Sequence, residues 1–253
     1  MGTKDRPGFR PVRTIAAKAH REALDRARSL PDELLDGLGC PLVMAEPPSW
    51  AASHHRVLML GQETAAWSIP EARTLRDVLA LDEPVAALSD AYAAYDFGVR
   101  AQRVHFLRAL RRLERELEDG HRGAVLWSNV CHVDCAPLGR RSASVAGLPK
   151  RVRSAVLEWQ RGLLSAELDD LRPHAIIAMC GPKYDDTLAA EFDGLAFEPL
   201  GDAPVRELAR LVHPRLPRAS FRTHHPRTLE IAKSPHLGAL IERIRIGAKP
   251  LPG

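Results

Sequence analysis

Four short segments carry the residue types from which a chemical site could be built, and each follows a short, largely apolar run. Gly61-Gln62-Glu63-Thr64-Ala65-Ala66-Trp67 follows Val57–Leu60, and Ser128-Asn129-Val130-Cys131-His132 follows Ala124–Trp127. Cys180-Gly181-Pro182-Lys183-Tyr184 follows Ala175–Met179, and His224-His225-Pro226-Arg227-Thr228-Leu229 follows Ser220–Thr223. A carboxylate such as Glu63 can stabilise positive charge and orient or deprotonate a water. A histidine can donate a hydrogen bond where negative charge develops, and it can do so while neutral. Asn129 offers one donor and one acceptor on a single flat group. Taken singly, each has a plainer reading as a cap, a turn residue or a satisfied structural histidine. The information lies in four polar ends arriving in this order.

The elements that must position them follow from periodicity. The first three runs are unalternated, as expected of strands covered on both faces. The segments between them are helical: Thr14–Leu30 before the first strand, then amphipathic patterns over Val85–Leu117, Val152–Leu171 and Thr228–Ile246. Alternating strands and helices predict an α/β fold, a three-layer αβα sandwich around a four-stranded parallel sheet. Ligands of such sheets bind outside the carboxyl ends of the strands, where the polar segments fall. Residues 1–50 read as an N-terminal helical extension packed on the main domain, and residues 51–253 as the α/β domain itself.

Composition narrows the function. The chain has 253 residues, 45% of them hydrophobic, enough to bury one sizeable core. No apolar run approaches the roughly 18 residues that span a bilayer, and Met1–Arg13 lacks an apolar signal core. A cytoplasmic monomer with no membrane partner is expected. The net charge of +4 and the excess of arginine over lysine permit nucleic-acid binding. The four cysteines, Cys40, Cys131, Cys135 and Cys180, form no CxxC pair, and Cys131-His132-Val133-Asp134-Cys135 departs from zinc spacing. No metal and no cofactor are expected. Neither GxGxxG nor GxxxxGK[ST] occurs, which argues against a nucleotide cofactor, and the absence of GxSxG argues against a serine hydrolase.

The order of motifs resembles the uracil-DNA glycosylase superfamily. There, one strand ends in Gly-Gln-Asp-Pro-Tyr-His, a later strand in an asparagine, and a near-terminal loop reads His-Pro-Ser-Pro-Leu. Gly61-Gln62-Glu63, Leu126-Trp127-Ser128-Asn129 and His225-Pro226-Arg227-Thr228-Leu229 are similar to these, and the likeness spans Arg56 to about Ile246. It implies DNA as partner and hydrolysis of the N-glycosidic bond of a flipped-out pyrimidine, leaving an abasic site. Glu63 would stabilise the sugar cation and its water, and His225 would donate to the base carbonyl, with His224 as competitor. Gln62, Ala65, Trp67 and Asn129 would hold the base, with Asn129 serving uracil or cytosine according to its amide orientation. Arg227 and Thr228 would meet the backbone, and Leu229 would either enter the duplex as a wedge or take the first core position of the last helix. Trp67, Tyr95 and Phe97 are candidates for base stacking. No lysine lies in these motifs, so no lyase step is expected. The iron–sulfur branches of the family have a cysteine spacing absent here.

One departure concerns specificity. Where the family's commonest form has a tyrosine that shuts out C5 substituents, Ala65 stands here. This predicts a pocket open beside C5 and a C5-modified pyrimidine, such as the hydroxymethylated or glucosylated cytosine of phage DNA, as substrate in a defence role. The alternatives are a plain uracil-DNA glycosylase of base-excision repair, a non-catalytic binder of altered DNA, and a different hydrolase on the same sheet plan.

Overall fold

The computed structural model describes residues 10–11, 14–95, 104–117, 124–135 and 144–247. Among them the elements run β1 (Arg10–Pro11), α1 (Thr14–Ala27), α2 (Asp32–Gly37), β2 (Ala45–Glu46), β3 (Val57–Gly61), α3 (Leu75–Leu79), α4 (Pro84–Ala94) and α5 (His105–Leu117). They continue with β4 (Val125–Asn129), α6 (Lys150–Trp159), α7 (Leu163–Leu171), β5 (Ala175–Ala178), α8 (Asp185–Glu191), β6 (Ala196–Pro199), β7 (Leu208–Val212), β8 (Ala219–Thr223), α9 (Pro226–Ile231) and α10 (His236–Gly247). The class is α/β.

The main sheet has the order β4-β3-β5-β8-β7-β6. The four runs read from sequence lie side by side and parallel, with Val57 beside Val125 and Ala175, and Ala175 beside Ala219. The sheet is nevertheless six-stranded and mixed, not four-stranded and all parallel: β7 joins β8 antiparallel, and β6 joins β7 antiparallel. These two strands carry no apolar run. The edge strand β6, Ala-Phe-Glu-Pro, is largely exposed, and Arg210 interrupts β7. Strands open to water on one face alternate instead of running apolar.

Each long helical pattern is two helices. The first stops at Tyr95, whose backbone is extended. The second breaks at Gly162, which takes φ +87° between α6 and α7. The third breaks where Lys233 turns left-handed ahead of Pro235, a residue that cannot continue a helix.

Side-chain alternation along β4 separates two environments. Trp127 and Asn129 point to one face, where Phe106 of α5 meets Trp127 edge to face at 6.1 Å. Ser128 points to the other, where its hydroxyl donates to Glu167 of α7 at 2.9 Å. Helix α5 contacts α9 and α10 on the first side, and α1 lies against α6 and α7 on the second. Nothing divides residues 14–50 from the rest. Cys40, Leu42, Val43, Met44 and Trp50 are buried in the common core, and the backbone of Leu42 bonds to that of His132.

As an edge strand, β4 exposes a row of backbone groups. Tyr92 of α4 closes it: its hydroxyl donates to the Trp127 carbonyl at 3.0 Å and accepts from the Trp127 N–H at 3.2 Å. Replacing Tyr92 by Phe strands both groups in a fully buried place and should cost about 1–3 kcal/mol. Denaturant unfolding checks this; an unchanged midpoint would show that the strand edge finds other partners.

Candidate functional site

A cleft of about 940 Å³ lies at the carboxyl ends of β3 and β4 and is lined by Gln62, Glu63, Ala65, Trp67, Asn129 and His225 together. All six candidate catalytic and base-holding residues therefore share one cavity. Its size is near the upper end for small-molecule sites and exceeds what a bare base needs.

Gly61 and Asn129 are paired neighbours in register at the strand ends. A Cβ on Gly61 would collide with the Asn129 side chain and crowd the Phe106 ring. The bare glycine thus makes the slot in which the carboxamide sits, 2% exposed. With its nitrogen turned inward, Asn129 donates to the carbonyls of Glu63 and Ser128, each at 3.2 Å. Both amide protons are then used, and Oδ1 remains as an acceptor for a ligand.

Glu63 is held by four donors. Ser144 Oγ and Tyr184 Oη each donate to Oε1 at 2.7 Å, and the N–H groups of Val145 and Ala146 donate at 3.0 and 3.4 Å. Backbone N–H groups can only donate, so the carboxylate accepts throughout. Burial, reinforced by Glu63, pushes the Tyr184 hydroxyl far above its usual range, so it stays a donor. Gln62 ties the ends of β3 and β5 together, donating to the Cys180 carbonyl at 2.8 Å.

His225 caps α9: its Nδ1 accepts from the Arg227 N–H at 3.3 Å. That bond requires Nδ1 to be bare, so the proton sits on Nε2. Burial, with help from His105 and Arg227, lowers the His225 pKa, which favours the same neutral form. The ring lies nearly parallel to Phe106, 18° apart with centroids at 6.3 Å. His224 does not line the cleft; its Nδ1 lies near Gly181.

The remaining expectations divide. Trp67 is buried against Tyr95 and Trp127, with ring centroids at 5.5 and 6.0 Å, and Tyr95 and Trp127 also line the cleft. Phe97 lies outside the described residues. Arg227 and Thr228 are exposed on α9, away from the cleft wall. Leu229 corrects the wedge reading: it is 5% exposed and belongs to the core, because it faces inward on the first turn of α9. The exposed apolar residue of that helix is Ile231, at 73%. Phe106 and Ser144 were not singled out from sequence. Phe106 is one apolar position in an amphipathic helix, and Ser144 acts only because the chain brings it 81 positions back to Glu63.

The cysteines are buried free thiols, and burial pushes Cys131 and Cys180 up to about 12, which removes them as nucleophiles at neutral pH. Among the described residues no helix is long and apolar enough to cross a membrane. Compared with known proteins, the chain matches no family model, and no curated protein matches it in sequence.

Gly61→Ala tests the slot. The added methyl must displace Asn129 or Phe106, overpacking that typically costs about 1–3 kcal/mol. The expected result is lower stability together with loss of any ligand affinity that depends on Asn129, measured by denaturant unfolding and binding titration. Wild-type behaviour in both would mean that the carboxamide does not need this position.

Proposed function

We propose that the protein is a monofunctional DNA glycosylase of uracil-DNA glycosylase type, acting on a flipped-out pyrimidine modified at C5. The observation that carries this reading is the meeting of Glu63, Asn129 and His225 in one cleft at the carboxyl ends of parallel strands. Breaking an N-glycosidic bond sends positive charge to the sugar and negative charge to the base. Glu63 supplies a carboxylate, His225 a neutral imidazole with its proton on Nε2, and Asn129 a buried acceptor. The aromatic wall of Trp67, Tyr95, Phe106 and Trp127 offers the flat apolar surface on which a base stacks. Exposed Arg227 and Thr228 are suited to phosphate contact in DNA.

The open side favours a substituent. Ala65 and Ala66 line the cleft and are exposed, while Trp67 is engaged with Tyr95 and Trp127 and does not fill the place of the missing tyrosine. Tyr184 also lines it, and while its hydroxyl donates to Glu63 its oxygen can still accept from a hydroxyl group. His132, another polar candidate, lies behind the sheet, and Lys183 does not line the cleft. A site built to bind a substituent rejects analogues lacking it.

One observation favours a second reading. Four donors saturate Glu63, as expected of a clasp that holds the Ser144–Ala146 turn in place. In that case the cleft grips altered DNA without cutting it.

Incubation with DNAs bearing uracil, hydroxymethyluracil, hydroxymethylcytosine or glucosylated hydroxymethylcytosine, followed by alkali cleavage, separates these readings. Abasic sites should appear with a C5-modified base in preference to uracil. Glu63→Gln and His225→Ala should each lower base release by about 10²–10³-fold while DNA binding survives. Binding with no base release from any of the four DNAs would support the second reading. Protonating His225 destroys its cap on Arg227, and its pKa is lowered. The acid limb of the rate profile should therefore fall below histidine's usual value of about 6.5, with activity held above it. A limb at or above that value would assign the titration to another group.

A further inference from the structure

Behind the sheet, on the face opposite the cleft, three ligand-type side chains converge from three elements. His20 comes from α1, His132 from the segment after β4, and Glu167 from α7. Glu167 Oε1 lies 3.2 Å from His20 Nε2 and 3.0 Å from His132 Nε2. Ser128 completes the group, with its hydroxyl 2.9 Å from Glu167 Oε2 and 3.5 Å from His132 Nε2. The side chains of His20, His132 and Glu167 are 2%, 1% and 0% exposed.

We propose that His20, His132 and Glu167 form a binding site for a zinc-type divalent cation. Each residue offers one ligand atom, and the three atoms lie within 4.8 Å of one another. A tetrahedral ion held at about 2.0–2.1 Å by nitrogen and oxygen places its ligand atoms roughly 3.4 Å apart, close to the two spacings from Glu167 to the histidines. Two imidazoles and a carboxylate are a ligand set that suits zinc and leaves a fourth position for water or Ser128.

Charge points the same way. Without an ion, a fully buried carboxylate holds two imidazoles on a single oxygen and can neutralise at most one of them when protonated. Taking such groups out of water is costly unless they are compensated. A dication satisfies the carboxylate and both neutral imidazoles together. A separate cavity of about 220 Å³ between α6, α7 and α8 has His132 in its wall, with Glu158, Arg161 and Glu191 also lining it. The cysteines flanking His132 take no part. Cys131 Sγ accepts from Gln160, and no cysteine belongs to the cluster.

The ion would staple α1 to α7 and to the segment that follows β4, three residues beyond Asn129. This assignment does not depend on the proposed reaction. It departs from the sequence-based expectation of no metal, because no two of the three ligands lie within 30 positions of each other along the chain.

The test uses the full chain, stripped with a chelator and titrated with Zn²⁺ or Co²⁺. The expected result is one equivalent bound per chain, a visible absorption band of tetrahedral Co²⁺, and a rise in Tm with Zn²⁺. Glu167→Gln and His132→Gln should each abolish the band, whereas Cys135→Ser should leave it. A stripped wild-type chain that shows neither the Co²⁺ band nor a Zn²⁺-dependent Tm overturns the proposal without recourse to any variant. A folded Glu167→Gln protein that keeps the band overturns it too.

Discussion

A side chain at position 61 would occupy the space that the Asn129 carboxamide takes on the neighbouring strand. Much of the cleft follows from that exclusion. Parallel register sets Gly61 beside Asn129, so the bare glycine admits both the carboxamide and the Phe106 ring behind it. With its amide nitrogen turned inward, the seated Asn129 gives its two protons to the Glu63 and Ser128 carbonyls and so braces the backbone from which the Glu63 carboxylate projects. Phe106 in turn lies face to face with His225. The carboxylate, the carboxamide and the imidazole are therefore positioned by one packing arrangement at the end of two strands, and a disturbance at any one should be felt by the others.

The same strand serves the opposite face. Residues along β4 alternate, so Ser128, lying between Trp127 and Asn129, reaches the buried His132 and Glu167, and Glu167 in turn bonds His20. Burial alone would raise the Glu167 carboxyl, yet the two histidines hold it down at about 2. Burial acts most strongly on His132 and would lower it, but the charge and hydrogen bond of Glu167, with the charge of Glu191, together raise it above its ordinary value. A charge so deeply placed behind an apolar sheet is tolerated only with partners in good geometry. Through Glu167 it ties helix α1, by His20, to the strand that ends in Asn129, by Ser128.

How much of this was legible depended on whether a feature was local. Val57–Leu60, Ala124–Trp127 and Ala175–Met179 announced strands because both their faces are buried, and Gly61, Glu63, Asn129 and His225 stood out because each closes such a segment. The antiparallel β6 and β7 carry no apolar run because Glu198 and Arg210 interrupt them. Leu229 read equally well as a wedge or as core, since an apolar residue one turn into a short helix gives no sign of which way it faces; the structure puts it in the core. The partners of Glu63 were illegible in principle. Ser144 and Tyr184 lie 81 and 121 positions away along the chain, and no local pattern links them.

The open side of the cleft has a backbone cause as well as a side-chain one. Ala65 and Ala66 both take left-handed conformations, with φ of 52° and 63°. Residues other than glycine adopt these rarely and at a cost of roughly 1–2 kcal/mol each. Asp134 holds the turn, its carboxylate accepting from the Ala66 N–H. Its other oxygen is buried without a partner among the described residues. Strain of this kind persists where the surroundings over-determine it, commonly at a functional site. A bulky aromatic at position 65 would have to adopt the same left-handed backbone, which large side chains tolerate poorly. The turn that Asp134 anchors therefore disfavours a bulky side chain at position 65. Narrowing this side of the cleft would take a different loop, because exchanging the side chain alone would set an aromatic ring against its own backbone.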